Sequence, residues 1–313
     1  MISKIKRGDF RIQQFRSGIL ANCRKAAVNF TLYFLLIGIG FVYLYPIIYM
    51  IIISLMPTKD LINPTIRWIP TQLDLSNFKQ VWGVLEYPVS FATTVLFSVV
   101  CSLLQTISCA LAGYALARYP VPLKRFWFFI VVMIFLIPAN VVTIPRYVLF
   151  NNYNLIGSVL AMILPAALGQ GVKSSIFVLI FWQAFSSYPR SFDEAAQLDG
   201  AGRLRVFLRI ALPMAVPTII LSLLFSLVWY WNETAQTGMY VGGNLKTLPL
   251  QLQKFNSLFK SAYPVSFGDE TNRLNERFQM AATILVVCPL MIFYIFVQKK
   301  FVKGIEASGI TGE

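Results

Sequence analysis

The 313-residue chain contains no histidine. That absence removes the commonest general base, proton relay and metal ligand together. Acids are scarce as well, 13 Asp and Glu against 27 Lys and Arg, and almost all of them fall outside the apolar runs. Ion-coupled carriers keep ionisable groups inside the membrane for function, so an autonomous carrier driven by an ion gradient fits this chain poorly. The four cysteines, Cys23, Cys101, Cys109 and Cys288, have no metal-ligand spacing and read as small core residues, not disulfides or ligands. No nucleophile and base pair suggests an enzyme. Charged residues make up only 13% of the chain and hydrophobic ones 57%, which leaves too little polar surface for a soluble globule of this length.

What is present is a series of long apolar runs. Phe30–Met56, Val89–Ala117, Phe126–Pro145, Ile210–Asn232 and Phe278–Gln298 each have roughly the 20 residues a helix needs to cross hydrocarbon. A further apolar segment, Leu155–Pro189, is interrupted by Gly169-Gln170-Gly171-Val172-Lys173. The expected fold is therefore an all-α polytopic membrane protein with six transmembrane helices, the fourth one broken. Of the 27 Lys and Arg, 17 fall in the N-terminal tail, the loop Arg118–Arg125, the segment after Pro189 and the C-terminus. Positive charge stays on the cytoplasmic side, so these four regions, both termini included, are expected inside the cell. The net charge of +14 thus reads as a topology and lipid-headgroup signal, with no nucleic-acid partner implied.

The expected organisation is a basic cytoplasmic N-terminal tail over 1–29, a first span over 30–56 and an extracytoplasmic segment over 57–88. A core domain of five helices follows over 89–298, with a cytoplasmic loop at 189–213 and an outer loop at 233–277, and a cytoplasmic tail over 299–313 ends the chain. The first run is too long for a signal-peptide core and lacks a small-x-small cleavage site, so it reads as a retained helix. The segments 57–88 and 233–277 are punctuated by Pro, Asn and Gly and read as ordered caps or partner-binding surfaces. The fragment Gly169–Ser174 fails the spacing of a phosphate loop and sits inside an apolar segment. A broken membrane helix facing a polar cavity is the sharper reading of it; a plain helix with flexible glycines and a snorkelling lysine is the plainer one.

Between two such runs lies "EAAQLDGAGRLRVFLRIALP", Glu194–Pro213. Ser191-Phe192-Asp193-Glu194 fits a capping box, which predicts a helix starting near Phe192. Gly200-Ala201-Gly202 predicts its end. Beyond the bend Leu204, Phe207, Leu208 and Ala211 share one helical face, with Arg203, Arg205 and Arg209 elsewhere. Such a unit is either an amphipathic helix among headgroups or a small-residue plug for a groove on a cytosolic protein, and the residues alone leave the two even.

The run Glu194-Ala195-Ala196, three residues, Gly200, nine residues, then Ile210-x-Leu212-Pro213 resembles the EAA loop of ABC importer permeases. Further stretches resemble the carbohydrate-uptake branch, to which the smaller maltose-transporter permease belongs. They are "ALAGYALARYP" (Ala110–Pro120), "IPANVVTIP" (Ile137–Pro145), "TLPLQL" (Thr247–Leu252), "MAATILVVCPL" (Met280–Leu290) and "FVKGIEASGITG" (Phe301–Gly312). The resemblance covers nearly everything from about Thr31 onward, whereas Ser257–Arg277 looks longer than the family's usual outer loop.

The resemblance implies a type I ABC importer permease fold and a transport subunit without an active site of its own. It implies a heterodimer with a second, homologous permease, two ATP-binding subunits that carry ATP and Mg, and an extracytoplasmic sugar-binding protein, all at a bacterial cytoplasmic membrane. No cofactor is expected in this chain. Glu194, Ala195, Ala196, Leu198, Asp199, Gly200, Arg203, Leu212 and Pro213 would form the contact with the ATPase, and Lys303, Gly304 and Gly309 a secondary one. Whether Glu194 caps its own helix or pairs with the partner stays open. Asn140, Asn151, Gln170 and Asn232, polar groups at broken or terminal parts of spans, are the candidates for a substrate path. Aromatics, 15% of residues, read as interfacial anchors and packing before they read as sugar platforms.

Overall fold

The computed structural model describes residues 2–63, 65, 66, 68–264 and 276–307, with side chains at 25, 28–63, 65, 66, 68–264 and 276–299. Every regular element among the described residues is helical. The chain divides between Leu75 and Ser76 into two units.

The first unit is dominated by α1 (Ile2–Ser54), whose helix runs back through the basic tail without a break. Its stretch Val28–Ser54 is apolar enough to cross a membrane and leaves nearly all of its side chains exposed. Phe30, Ile37 and Tyr43 could not face water in such density, so this surface belongs against hydrocarbon or another membrane chain. Within α2 (Thr58–Ile62), the buried Asp60 carboxylate accepts from the Thr71 backbone N–H at 2.7 Å and from its hydroxyl at 2.9 Å. The Asp74 N–H donates to the Leu55 carbonyl at 2.9 Å. The segment after the first run is thereby tied down by hydrogen bonds, as a charged group can be buried only when it is paired or bonded.

The second unit begins with α3 (Ser76–Val84) and is built around α4 (Tyr87–Arg118). Ser90, Thr94, Ser98, Ser102, Gln105 and Thr106 are buried along α4. Small and hydroxyl-bearing residues let neighbouring helices approach closely inside a membrane. Against α4 pack α7 (Leu160–Ala167), α8 (Ser174–Ser187) and α12 (Val216–Asn232), and α16 (Glu276–Ala307) lies on α12. The cores follow these contacts. One gathers Tyr114, Phe181, Phe185 and Phe207, a second Phe97, Phe150, Tyr230 and Tyr240, and a third Leu85, Phe255, Phe259 and Phe278.

Two apolar runs that look continuous in sequence are bent. The third separates into α5 (Lys124–Leu136) and α6 (Ala139–Asn152), which meet at 104°. Ile137 and Pro138 are extended there, because a residue before proline is driven out of the helical region. The fifth run contains the short α11 (Leu212–Met214) and then turns by 78° into α12 at Ala215. Pro213 and Pro217, one turn apart, each lack the N–H a continuous helix would use. Among the described residues, three helices are long and apolar enough to cross a membrane, or up to five if each bent pair is one span.

The segment after α12 is largely helical, with α13 (Ala235–Tyr240), α14 (Leu248–Gln253) and α15 (Phe255–Ala262). Phe255 and Phe259 anchor it to α16. The Leu248 N–H donates to the Thr94 hydroxyl at 2.8 Å, and Lys246 pairs with Glu86 at 2.7 Å.

Candidate functional site

Two breaks in the helical framework hold the chemistry of the second unit. The first lies between α7 and α8. Gly169 has φ +71° and Lys173 φ +51°, so the chain leaves one helix and enters the next through two left-handed residues. The loop between them is fastened from both sides. Gln105 Nε2 on α4 donates to the Val172 carbonyl at 2.9 Å, and the Val172 N–H donates to Tyr230 Oη on α12 at 3.2 Å. Tyr230 Oη in turn donates to Gln105 Oε1 at 2.6 Å, and all three residues are buried. Ser108 Oγ adds a bond to the Ala166 carbonyl at 2.8 Å. Unpaired backbone groups are costly where water is absent, and these side chains satisfy the ones the break releases. A Cβ on Gly171 would run into Gln105 Oε1, Tyr230 Oη and the Ala166 backbone, which fixes glycine there by space alone.

The break opens on a cavity of about 410 Å³ between the α5–α6 bend, the N-terminal end of α8 and α12. Its polar lining is Thr143, Arg146, Gln170, Lys173, Ser174, Ser175 and Gln236, and Trp229 and Tyr240 supply aromatic wall. Lys173 Nζ sits 4.7 Å from the Trp229 ring centre.

The second break is the segment after Pro189. Here α9 (Ser191–Leu198) starts one residue earlier than the capping pattern predicts, and the capping box does not form. The residue before the helix is Arg190, whose carbonyl accepts the N–H groups of Asp193 and Glu194 at 3.0 and 3.1 Å, without any side-chain cap. A helix that starts at Ser191 places that hydroxyl inside the first turn, where it is not the N-cap. Glu194 is exposed and has no side-chain partner among the described residues.

Asp193 is the carboxylate with the structural role. It is buried, accepts from Tyr188 Oη at 2.9 Å and lies 3.6 Å from the Arg118 guanidinium at the end of α4. Arg118 also donates to the Tyr188 carbonyl at 2.5 Å and stacks on its ring at 3.5 Å. This clasp ties α9 to the second apolar helix. Sequence reading missed it, because an Asp one residue from a motif glutamate carries no signal of what it will touch.

The far end of α9 closes as a Schellman turn. The Ala201 N–H reaches the Ala196 carbonyl at 2.9 Å, the Gly200 N–H reaches that of Gln197 at 3.0 Å, and Gly200 has φ +78°. Then α10 (Arg203–Val206) passes into a π turn at Phe207–Ala211. The expected stripe of Leu204, Phe207, Leu208 and Ala211 is only half realised. Val206, Phe207 and Ala211 are buried, while Leu204 and Leu208 face outward. The wider π turn breaks the regular spacing on which the stripe was based. Phe207 packs on Tyr114 and Phe185, and Arg203 lies 5.3 Å from the Tyr119 ring.

Of the motif residues, Ala195, Leu198, Asp199, Gly200, Arg203 and Pro213 are exposed with Glu194, while Ala196 and Leu212 are half-buried. Leu198 is 89% exposed, which no isolated apolar side chain at a helix end requires. Lys303 and Gly304 lie in the last turns of α16, and Gly309 is outside the described residues. Of the four amides proposed for a substrate path, Gln170 reaches the cavity beside the first break. Asn140 and Asn151 are exposed on α6 away from its lining, and Asn232 donates to the Val228 carbonyl at 2.9 Å on its own helix. Lys173, in the interruption expected to face a polar cavity, also lines it, and so do Arg146 and Gln236, which in sequence are only a charge in an apolar run and part of the segment after α12.

The pattern described as binding-protein-dependent transport system inner membrane component matches residues 107–307, so the chain belongs to that family. Family membership makes it a membrane transport subunit, not an enzyme. It is 26% identical to the arabinooligosaccharides transport system permease protein AraQ of Halalkalibacterium halodurans, over 88% of this chain and 93% of the relative. It is 28% identical to the probable starch degradation products transport system permease protein AmyC of Thermoanaerobacterium thermosulfurigenes, over 84% and 90%. Among solved structures, a bacterial ABC transporter involved in the import of the acidic polysaccharide alginate matches with a TM-score of 0.71 at 22% identity. That match covers 89% of this chain and 98% of the other, and it establishes likeness of fold.

Proposed function

We propose that this chain is one permease half of an ATP-driven, binding-protein-dependent importer of oligosaccharides in a bacterial cytoplasmic membrane. It spans the bilayer six times, with α7 and α8 together as the fourth span and both termini in the cytoplasm. It pairs with a second, homologous permease, and an extracytoplasmic binding protein delivers the sugar. ATP and Mg are held by two partner ATPase subunits, and the chain itself holds no cofactor. The names of the two relatives, one a permease for arabinooligosaccharides and the other a probable permease for starch degradation products, support the substrate class.

The observation that carries the coupling role is the exposed surface of α9. Glu194, Ala195 and Leu198 stand free on a helix whose opposite side is held by the Arg118–Asp193 clasp. A short helix with small and apolar residues outward suits a groove on a partner. When the ATPase pair closes on ATP, α9 and the π turn move together because both are fixed to the end of α4, by the Arg118–Asp193 clasp and by Phe207 on Tyr114, and the 78° bend transmits that motion to α12. Lys303, Gly304 and Gly309 supply a second contact.

Gly200→Asp tests this. The substitution puts a side chain on a left-handed residue and a charge at the contact, so membrane insertion and assembly persist while sugar uptake is lost and ATP hydrolysis no longer responds to the binding protein. Wild-type uptake in that variant would sink the coupling role.

A further inference from the structure

The cavity beside the broken helix carries more positive charge than a path for neutral sugar needs. Arg146 on α6 and Lys173 at the start of α8 line it together, and neither has an ion-pair partner among the described residues. Glu233, between α12 and α13, accepts the Gln236 N–H on Oε1 at 2.8 Å and forms no ion pair with either cation. The N-terminal end of α8, a helix of fourteen residues, opens on the same space with Ser174 and Ser175. Its dipole adds a partial positive charge of the same sign. Lys173 is exposed and Arg146 half-buried, so both cations face the open cavity between apolar helices, and charged groups placed so mark ligand or ion paths.

We propose that this cavity is a transit site for an anionic oligosaccharide, one bearing a carboxylate on its sugar ring, with Arg146 and Lys173 as its counter-charges. The guanidinium offers the planar fork that a carboxylate matches, the ammonium a point charge beside it. Gln170 and the two serines supply neutral hydrogen bonds to hydroxyls, and Trp229 an apolar face for a ring. The inference rests on the reading of the chain as an oligosaccharide permease and narrows its substrate class.

The test uses the whole transporter, with its partner permease, ATPases and binding protein, in phosphatidylcholine proteoliposomes. The probes are trigalacturonate and the neutral maltotriose. Trigalacturonate should be taken up on ATP, and Arg146→Gln or Lys173→Gln should each lower that uptake by about tenfold or more, the loss expected for a charge-assisted bond. Arg146→Lys and Lys173→Arg should retain most of it, and assembly of the complex should be unchanged in all four. Maltotriose uptake that the Gln variants leave intact, with no uptake of the acid, overturns the inference and leaves the oligosaccharide reading standing. Uptake of neither sugar, with ATP-driven uptake of an unrelated solute, overturns both. If the Gln variants fail to assemble with the second permease while the charge-preserving ones assemble, the cations are partner contacts and the proposal falls. Adding phosphatidylglycerol to the vesicles separates a carboxylate sugar from a lipid phosphate. Suppression of trigalacturonate uptake by that lipid, relieved in the Gln variants, would assign the site to headgroups instead.

Discussion

Two breaks in this chain both depend on glycine, yet they are built on different principles. At the first, between α7 and α8, the turn is enclosed by Gln105 and Tyr230, and a Cβ on Gly171 has nowhere to go. At the second, after α9, a Cβ on Gly200 or Gly202 meets nothing within 4 Å, and only the positive φ at Gly200 requires glycine. The first break is a fixed part of the interior. The second is closed by its own backbone and leaves its side chains free, as suits a surface that another protein completes. Glycine content alone does not separate a structural joint from a docking joint; the surroundings do.

That contrast is most severely tested at Gly171. Gly171→Val forces Gln105 and Tyr230 apart and should destabilise the second unit by about 3 kcal/mol, the upper part of the range for overpacking. The loss should appear as a lower unfolding temperature of the purified complex. Tyr230→Phe removes the hydroxyl that serves both Val172 and Gln105 and should cost about 1–3 kcal/mol by leaving buried polar atoms unmatched. At the exposed joint, Gly200→Ala should cost about 1–2 kcal/mol through the left-handed backbone, and Gly200→Asn clearly less. A larger effect at Gly200 than at Gly171 would reverse the comparison. Smallest in stability is Glu194→Gln, which should leave unfolding within about 0.5 kcal/mol, as for a surface change. Binding of the purified ATPase should nevertheless weaken, because Glu194 does not cap its own helix.

How much of this was legible depended on whether the deciding physics was local. The apolar runs, the interruption at Gly169–Lys173 and the helix end at Gly200 are properties of short stretches, and the structure places breaks or turns at both glycine-rich sites. The bend at Ile137–Pro138 was present as a proline inside a run, but apolar length dominated the reading. The capping box failed because its pattern does not say which residue the helix starts on, and a shift of one removes the bond. The Arg118–Asp193 clasp and the shared cavity of Arg146 and Lys173 join residues far apart in sequence, and nothing in a short stretch says that they meet. Gln170 lines this cavity and Asn140, Asn151 and Asn232 do not, since polarity near a span end does not say which face of the helix a residue occupies.

The polar row along α4 also bears on the order in which the chain is made. Gln105 finds its partner Val172 only 67 residues later, and its partner Tyr230 only 125 residues later. Thr94 waits still longer, since Leu248 lies 154 residues downstream. The Ser90, Thr94 and Ser102 hydroxyls donate to carbonyls three to five residues back and are satisfied as soon as the helix forms, but the Gln105 amide has no such local bond and precedes both of its partners in synthesis. The helix that ends as the centre of the second unit begins as its least settled part.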